Sequence, residues 1–328
     1  MPKHALVAIV VTMNRLDHLQ KTLDRLLASD AQTLGAVVVV NNQSTDGTGA
    51  WLTAHSDARV IHLPQGENRG GAGGFEAGLC HVRDHMAADW VLLMDDDGRP
   101  AAGCLEAFHS APREGIDGWV SAVRYPSGAI CEMNRPWINP FWSVSGFIRG
   151  LTKGRAGFHI PNTAFDGGVV EIDGGSFVGL FLSARAIDLA GLPDGDLFLY
   201  GDDVLYCLRL RRNGGRVGFD PSLGFEHDCE TFDADDGTIA PLWKAYYMHR
   251  NQLMMYRVAA GALFPFVVAL FVPRWWFKAR KYGAAAPVYR RVLARAIKDG
   301  LARRTDMTFA QVQALAVQDP FVKPPHQH

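Results

Sequence analysis

The sequence predicts an α/β fold in which a mostly parallel sheet is flanked by helices and followed by a C-terminal helical extension that is both basic and apolar. Three observations carry that expectation. Apolar runs of strand length alternate with helically spaced segments; each apolar run ends in a polar, Gly- or Asp-rich cluster; and charge is divided sharply along the chain. At 328 residues with 48% hydrophobic content the chain can bury a large core, as one big domain or two modest ones.

The elements follow in order. "ALVAIVVT" reads as a buried strand, and "LDHLQKTLDRLLAS" carries Leu16, Leu19, Leu23, Leu26 and Leu27 at helical spacing. "AVVVVNN" is a second strand, "DGTGAWLTAH" a helix, "ARVIHLP" a short strand, "GAGGFEAGLCHVRDHM" a helix with a glycine-rich entrance, and "WVLLMD" a fourth strand. Strands separated by helices imply a parallel sheet covered on both faces. From about Val120 to Gly168 the pattern weakens, and irregular strands and loops are expected there, as an acceptor-facing insert. "SFVGLFLSARAIDLAGLP" is a strand turning into a short helix, "GDDVLYCLRLRRNGG" a helix with Asp202 or Asp203 as N-cap and Asn213-Gly214 as C-cap, and "RVGFDPSLGFEH" a closing strand ending at His227. The expected organisation is a catalytic domain over 1–243, with a nucleotide-binding half over 1–100 and an acceptor-facing half over 101–243, and a helical region over 244–328.

The net charge of -1 conceals an asymmetry. Between Lys244 and Arg304 thirteen Lys or Arg face one acid, Asp299, so this segment is +12 and the remainder -13. The basic segment encloses the uncharged "VAAGALFPFVVALFVP", residues 258–273, which favours an anionic membrane surface over nucleic acid. As a spanning helix this stretch measures roughly 24 Å, short of a ~30 Å hydrocarbon core, so an interfacial segment anchored by "RWWFKARKY" is expected. Five scattered cysteines without CxxC spacing suit a reducing cytoplasm, and no signal peptide is expected ahead of "ALVAIVVT".

Ligands of open sheets bind outside the carboxyl ends of the strands, where this chain places "TMNR", "NNQSTDGT", "ENRGGAGG" and "DDDG". Adjacent carboxylates raise the cost of ionising one another, and a divalent cation relieves it. Hard ions such as Mg²⁺ and Mn²⁺ choose carboxylate oxygens and bridge to phosphates, so Asp95 and Asp97, on one side of an extended segment, are candidate ligands. The "ENRGGAGGF" loop allows close backbone approach to an anion, with Arg69 adding charge. Because Glu76 stands where GxGxxG needs its third glycine, a nicotinamide dehydrogenase is disfavoured.

Taken in order, "VVTMNR", "VVVVNNQSTDGT", "ENRGGAGGF", "VLLMDDDG" and "GDDVLYCLRLRRNG" resemble the inverting GT-A glycosyltransferases of family 2 over roughly residues 5–250. "NRGGAGGF" is similar to the loop of bacterial galactofuranosyltransferases, and "YYMHRN" resembles a segment of rhamnosyl- and galactofuranosyltransferases of cell-surface polysaccharide assembly, such as O-antigen synthesis. The resemblance implies a nucleotide-sugar site drawn from Thr12, Asn14, Arg15, Asn42, Asp46, Arg69, Gly73 and Asp96, with Asn42 and Asp46 toward base and ribose. It further implies Mn²⁺ or Mg²⁺ on Asp95 and Asp97 with His227 as third ligand, and a base at Asp203 neighboured by Asp202. "GDD" in place of the tryptophan-led WDD of the polymerising enzymes, and "GGSF" in place of their tryptophan-rich acceptor loop, argue against a polymerase. The expected activity is transfer of galactofuranose from UDP-galactofuranose, with dTDP-rhamnose the second donor, to a glycan or polyprenyl-linked glycan at the cytoplasmic face of the membrane. A sugar nucleotidyltransferase is disfavoured because no basic GxG-type triphosphate loop opens the chain, and a noncatalytic glycan- or membrane-binding protein would not need both acid clusters.

Overall fold

The computed structural model describes residues 3–229 and 238–317, so the last part of the C-terminal extension lies outside the described residues. The chain divides into two compact units. The first holds the chain up to Gly195 together with Asp202–Cys229, and the second holds Asp196–Gly201 and the C-terminal region.

The first unit is an α/β structure around one nine-stranded sheet. Its elements are β1 (Lys3–Thr12), α1 (Leu16–Leu27), β2 (Ala36–Asn41), α2 (Thr48–Ala54), β3 (Val60–Pro64), α3 (Gly70–His85), β4 (Ala87–Asp95), β5 (Gly98–Pro100), α4 (Cys104–Ser110), β6 (Gly118–Arg124), α5 (Val144–Lys153), β7 (Val170–Ile172), β8 (Leu180–Ser183), α6 (Ala184–Ala190), α7 (Asp202–Arg212) and β9 (Val217–His227). The sheet order is β3-β2-β1-β4-β8-β6-β9-β5, with β7 also paired to β9. The expected parallel ladder runs through β3, β2, β1 and β4, and antiparallel pairing enters where β8 joins β4.

Alternation along β1 explains why two cores form. Val7, Ile9 and Val11 point to the face that packs with Phe75 and Leu79 of α3, while Leu6, Ala8 and Val10 join Leu19, Leu23 and Leu26 of α1. Residues buried on both faces read as continuous apolar runs, as in "AVVVV" of β2. Register then aligns the functional ends: Thr12 of β1 pairs with Asn41 of β2, and Val11 pairs with Asp95 of β4. On the far side of the sheet Gly98 of β5 pairs with His227 of β9, which draws the closing strand to the acidic turn.

The glycines of α3 have a packing reason. A Cβ on Gly74 would sit 2.5 Å from a methyl of Val11, and one on Gly78 would sit 2.5 Å from a methyl of Ile9. Helix and sheet therefore approach more closely than any larger residue permits.

The stretch expected to be irregular contains β6, a buried strand paired in parallel with β9 and antiparallel with β8. Its sequence, "GWVSAVR", has small residues at Ser121 and Ala122 and is covered on both faces, so it lacks both an alternating pattern and a long apolar run. It also contains α5, whose two glycines lower its helical signal.

The second unit is helical: α8 (Trp243–Ala260), α9 (Phe264–Lys278), α10 (Ala286–Ala302) and α11 (Phe309–Leu315) surround a core that includes Tyr246, Leu253, Trp275, Tyr289 and Leu293. The helical run from Trp243 to Ala302 contains a stretch long and apolar enough, by length and composition, to cross a membrane. It is interrupted at Gly261 and Gly283, with φ of 53° and 51°, which leaves α9 as a 15-residue apolar piece of roughly 22 Å. Phe266, Leu270, Trp276 and Phe277 on α9 are exposed. The lone acid of the basic segment, Asp299, is buried and accepts from Tyr246 Oη at 2.7 Å and Arg295 Nε at 2.6 Å.

Within this unit α8 holds the segment Asp196–Gly201. Asn251 donates its amide to the carbonyls of Leu197, Leu199 and Tyr200 at 2.8–3.1 Å, and the buried Arg250 donates to the carbonyls of Asp196 and Leu197 while stacking on Tyr246 and Tyr247. Phe198 and Tyr200 have φ of 65° and 69°, costly for side-chain-bearing residues, and Gly201 has φ of 80°. The clamp stabilises a strained backbone that leads directly into Asp202.

Candidate active site

The acidic stretch is a turn. β4 ends at Asp95 and β5 begins at Gly98, so Asp96 and Asp97 do not follow the alternation of an extended strand. Asp96 accepts from Thr12 Oγ1 at 2.7 Å, and Arg15 reaches both carboxylates, Asp96 at 3.4 Å and Asp97 more closely. Thr22 Oγ1 donates to the Asp96 carbonyl at 2.6 Å and fixes the turn from below. His227 faces Asp97, with Nε2 to Oδ1 at 3.2 Å. One connected network thus holds Thr12, Arg15, Asp96, Asp97 and His227, drawn from positions more than two hundred residues apart.

Electrostatics explain what the network lacks. Burial, then Asp97 and Asp96, push Asp95 up to about 7, and burial pushes Asp96 up to about 6 against the bonds from Thr12 and Arg15. Burial alone would raise Asp97 too, but His227 and Arg15 outweigh it and hold its carboxyl below the ordinary range. Burial opposes a proton on His227, yet its bonds to Asp97 and Cys131 raise it to about 9. Two crowded carboxylates and an imidazole that gives up its added proton on binding form a mixed O/N donor set of the type that suits Mn²⁺ or Mg²⁺. Asp95, Asp97 and His227 are the residues that fit such an ion.

Asn134 escaped the sequence reading because it lies in the stretch without pattern. Its Oδ1 stands 2.7 Å from His227 Nδ1, and its amide donates to Ser176 Oγ at 2.8 Å. An acceptor at Nδ1 keeps the proton there and leaves Nε2 free to ligate. Arg99 was also missed: it donates to Glu226 at 2.7 Å and Asp228 at 3.0 Å and ties β5 to β9 on either side of His227. Cys131, His227 and Cys229 offer ligand atoms within 4.8 Å of one another, with both thiols free. His249, by contrast, is a core residue of the second unit, bonded to Tyr289 Oη at 3.0 Å with burial lowering it to about 3.

The remaining expected nucleotide-sugar residues form a second cluster of loops. Asn14 Oδ1 accepts from the Thr45 N–H at 2.6 Å, and Asp46 accepts from Leu16 N–H at 3.1 Å and Thr48 Oγ1 at 2.6 Å, joining the loops after β1 and β2. Asn42 donates to the Gly70 carbonyl at 2.9 Å and accepts from Arg69 N–H at 3.0 Å, joining the loop after β2 to that after β3. Arg69 turns its guanidinium to Glu76 at 2.7 Å, and the Cβ position of Gly73 is filled by Arg69 Cβ at 2.4 Å. These two residues pack the entrance of α3. An open groove of about 740 Å³ beside β2 and β3, lined by Asn41, Gln43, Ser44, His62 and Gln65 among others, lies next to this cluster and contains none of the acidic turn.

Asp202 and Asp203 begin α7, and Asp203 Oδ1 accepts from the Val204 N–H at 2.7 Å. A helix N-terminus favours an ionised carboxylate, but burial outweighs the Val204 bond and raises Asp203 to about 6. Burial, then Asp203 and more weakly Asp95, push Asp202 well above the carboxylate range. Burial raises both carboxyls, so the pair titrates as one coupled unit.

Comparison with known proteins agrees with this architecture. The description "Glycosyl transferase family 2" matches residues 7–165. The chain is 30% identical over 225 residues to galactofuranosyltransferase GlfT1 of Mycobacterium tuberculosis H37Rv, covering 68% of this chain and 69% of that protein. It is 29% identical over 230 residues to GlfT1 of Mycolicibacterium smegmatis, covering 68% and 71%. Among solved structures, Staphylococcus aureus TarS 1-349 in complex with UDP-GlcNAc superposes with a TM-score of 0.55 at 15% identity, covering 94% of this chain and 83% of that one. The mannosyltransferase PcManGT from Pyrobaculum calidifontis, in complex with GDP-Man and Mn²⁺, gives a TM-score of 0.51 at 16% identity, covering 96% and 79%. With the GT-A architecture and the GlfT1 relatives in view, the chain belongs to glycosyltransferase family 2 and is a glycosyltransferase.

Proposed function

We propose that this glycosyltransferase is an inverting, metal-dependent enzyme that transfers galactofuranose from UDP-galactofuranose to a lipid-linked or polysaccharide acceptor at the cytoplasmic face of a membrane. The observation that carries the reading is the occurrence of the acidic turn, His227 and the Asp202–Asp203 pair in one unit of a chain about 30% identical to two galactofuranosyltransferases over more than two thirds of their length. The donor diphosphate would lie against Asp95, Asp97 and His227 through Mn²⁺ or Mg²⁺, which when bound neutralises charge on the leaving group.

This chain's own residues supply the rest. Asp203, ionised near neutral pH, accepts the proton of the acceptor hydroxyl as that oxygen attacks the anomeric carbon opposite the departing nucleotide. Asp202, raised by burial and by the neighbouring Asp203, titrates together with it and disfavours a second charge beside the base. Thr12 and Arg15 hold Asp96 and Asp97 in place, and Asn14, Asn42 and Asp46 brace the loops that would receive base and ribose. The exposed apolar and basic side chains of α9 suit a peripheral position on the membrane that carries the acceptor.

Purified protein given UDP-galactofuranose or dTDP-rhamnose with a lipid-linked acceptor and Mn²⁺ tests the reading. Transfer from UDP-galactofuranose with inversion at the anomeric carbon is expected. Transfer from dTDP-rhamnose alone, retention of configuration, or full activity in excess chelator would overturn the corresponding part.

A further inference from the structure

A second surface, in the first unit, has the composition of a membrane-contacting element. α5 is anchored through its glycines: the Cβ positions of Gly146 and Gly150 face Pro140, which leaves no room for side chains on that side. The opposite side is apolar and open. Val144, Ile148 and Leu151 recur at helical spacing and are 78%, 54% and 57% exposed in the intact chain, and Trp142, just before the helix, is 43% exposed. Exposure of that order on consecutive turns is the costly arrangement for a soluble surface, since burying the patch would be favourable and nothing within the described chain does so.

Charge says what would cover it. Arg149 and Lys153 leave the helix on its glycine side, away from the stripe, and Arg155 follows; all three are exposed. No acid occurs between Arg135 and Asp166, and among the described residues no carboxylate pairs with Arg149 or Lys153. Beneath the helix a cavity of about 290 Å³ is lined by Asn139, Arg149, Lys153, Phe158 and His159, so cationic and apolar groups meet at one opening. An apolar ridge with an aromatic residue at its edge and unpaired cations on the other side of the same helix matches an anionic bilayer surface: the ridge enters the acyl boundary while the long basic side chains reach outward to the headgroups.

We propose that α5 is an interfacial helix that seats the catalytic unit on an anionic membrane, with Val144, Ile148, Leu151 and Trp142 in the bilayer boundary and Arg149, Lys153 and Arg155 against lipid phosphates. This deepens the membrane part of the proposed function and rests on it for its purpose, but it is independent of α9. The catalytic unit would then be held at the surface that carries a lipid-linked acceptor.

Co-sedimentation of the full chain with vesicles of phosphatidylcholine, with and without about one third phosphatidylglycerol, tests it. The expected result is binding to the anionic vesicles, reduced at least about tenfold by Ile148→Glu with Leu151→Glu, and made less salt-sensitive by Arg149→Gln with Lys153→Gln. These positions are exposed, so the melting temperature should match that of the unsubstituted chain. If Ile148→Glu with Leu151→Glu binds normally while Phe266→Glu with Phe277→Glu does not, α5 is overturned and a membrane-bound enzyme survives. If the unsubstituted chain ignores anionic vesicles at low salt, both ideas fall. Light scattering that shows a dimer dissolved by the α5 substitutions, with vesicle binding unchanged, would make this face a self-contact and overturn the proposal.

Discussion

Asn134 Oδ1 lies 2.7 Å from His227 Nδ1, while Nε2 of the same ring lies 3.2 Å from Asp97 Oδ1. One ring therefore connects a loop residue to the acidic turn, and the loop residue decides which nitrogen carries the proton. Asn134→Ala should leave the chain folded and weaken Mn²⁺ affinity by roughly 10–100-fold, the usual effect of removing a partner behind a ligating histidine. Calorimetric titration of Mn²⁺ checks this, and unchanged affinity would mean that Asn134 serves Ser176 and the local loop alone.

Asp203→Asn keeps an acceptor for the Val204 N–H but removes the proposed base. Transfer should fall by about 10²-fold or more with donor binding and unfolding temperature near normal, and Asp202→Asn should be milder. In the unsubstituted enzyme the rate should rise with pH through about 6, because Asp203 must lose its proton to act. A rate independent of pH across that region, measured as kcat under saturating donor, would remove Asp203 from the role.

Without a bound ion, Asp95 and His227 both hold protons more tightly in the folded chain than in the unfolded one. The sign is the same for both. The stability each contributes is complete at low pH and is lost as pH rises, through about 7 for Asp95 and about 9 for His227. The metal-free chain should therefore melt at progressively lower temperature from pH 7 to 9, other groups being equal, whereas Mn²⁺ expels these protons and should bind more tightly over the same range. Differential scanning calorimetry with and without Mn²⁺ reads both trends, and proton uptake on binding would contradict them.

Gly78→Leu tests the helix–sheet approach. With a Cβ already 2.5 Å from Ile9 and 3.0 Å from Val40, the larger side chain should destabilise the first unit by about 1–3 kcal/mol or more, read by denaturant midpoint, because β1 cannot retreat without disturbing β2 and β4.

What could be read from the sequence follows from how local each signal is. β1 to β4 and α7 announce themselves because their apolar spacing and turn residues lie within one short window, and Asp95 and His227 stand out because each ends such an element. β6 carries no such window, since both its faces are buried and its neighbours β8 and β9 are distant in sequence. Asn134 and Arg99 act through bonds to residues 93 and 127–129 positions away, which no spacing rule connects. The glycines of "GGAGGF" could be seen as a loop that admits close backbone approach, but not the packing that Gly74, and Gly78 one turn further on, permit against Val11 and Ile9.

The clamp that Arg250 and Asn251 place on Asp196–Gly201 bears on how this chain can be divided and recombined. The backbone leaves the catalytic unit at Gly195, is gripped by the helical unit, and re-enters at Asp202 with its dihedral angles already set. A fragment ending near residue 243 would keep every carboxylate of the site yet release the strained lead-in to its acid pair. The helical unit is thus more than a tail: grafting another family member's C-terminal region in its place would exchange the grip on Asp196–Gly201 as well.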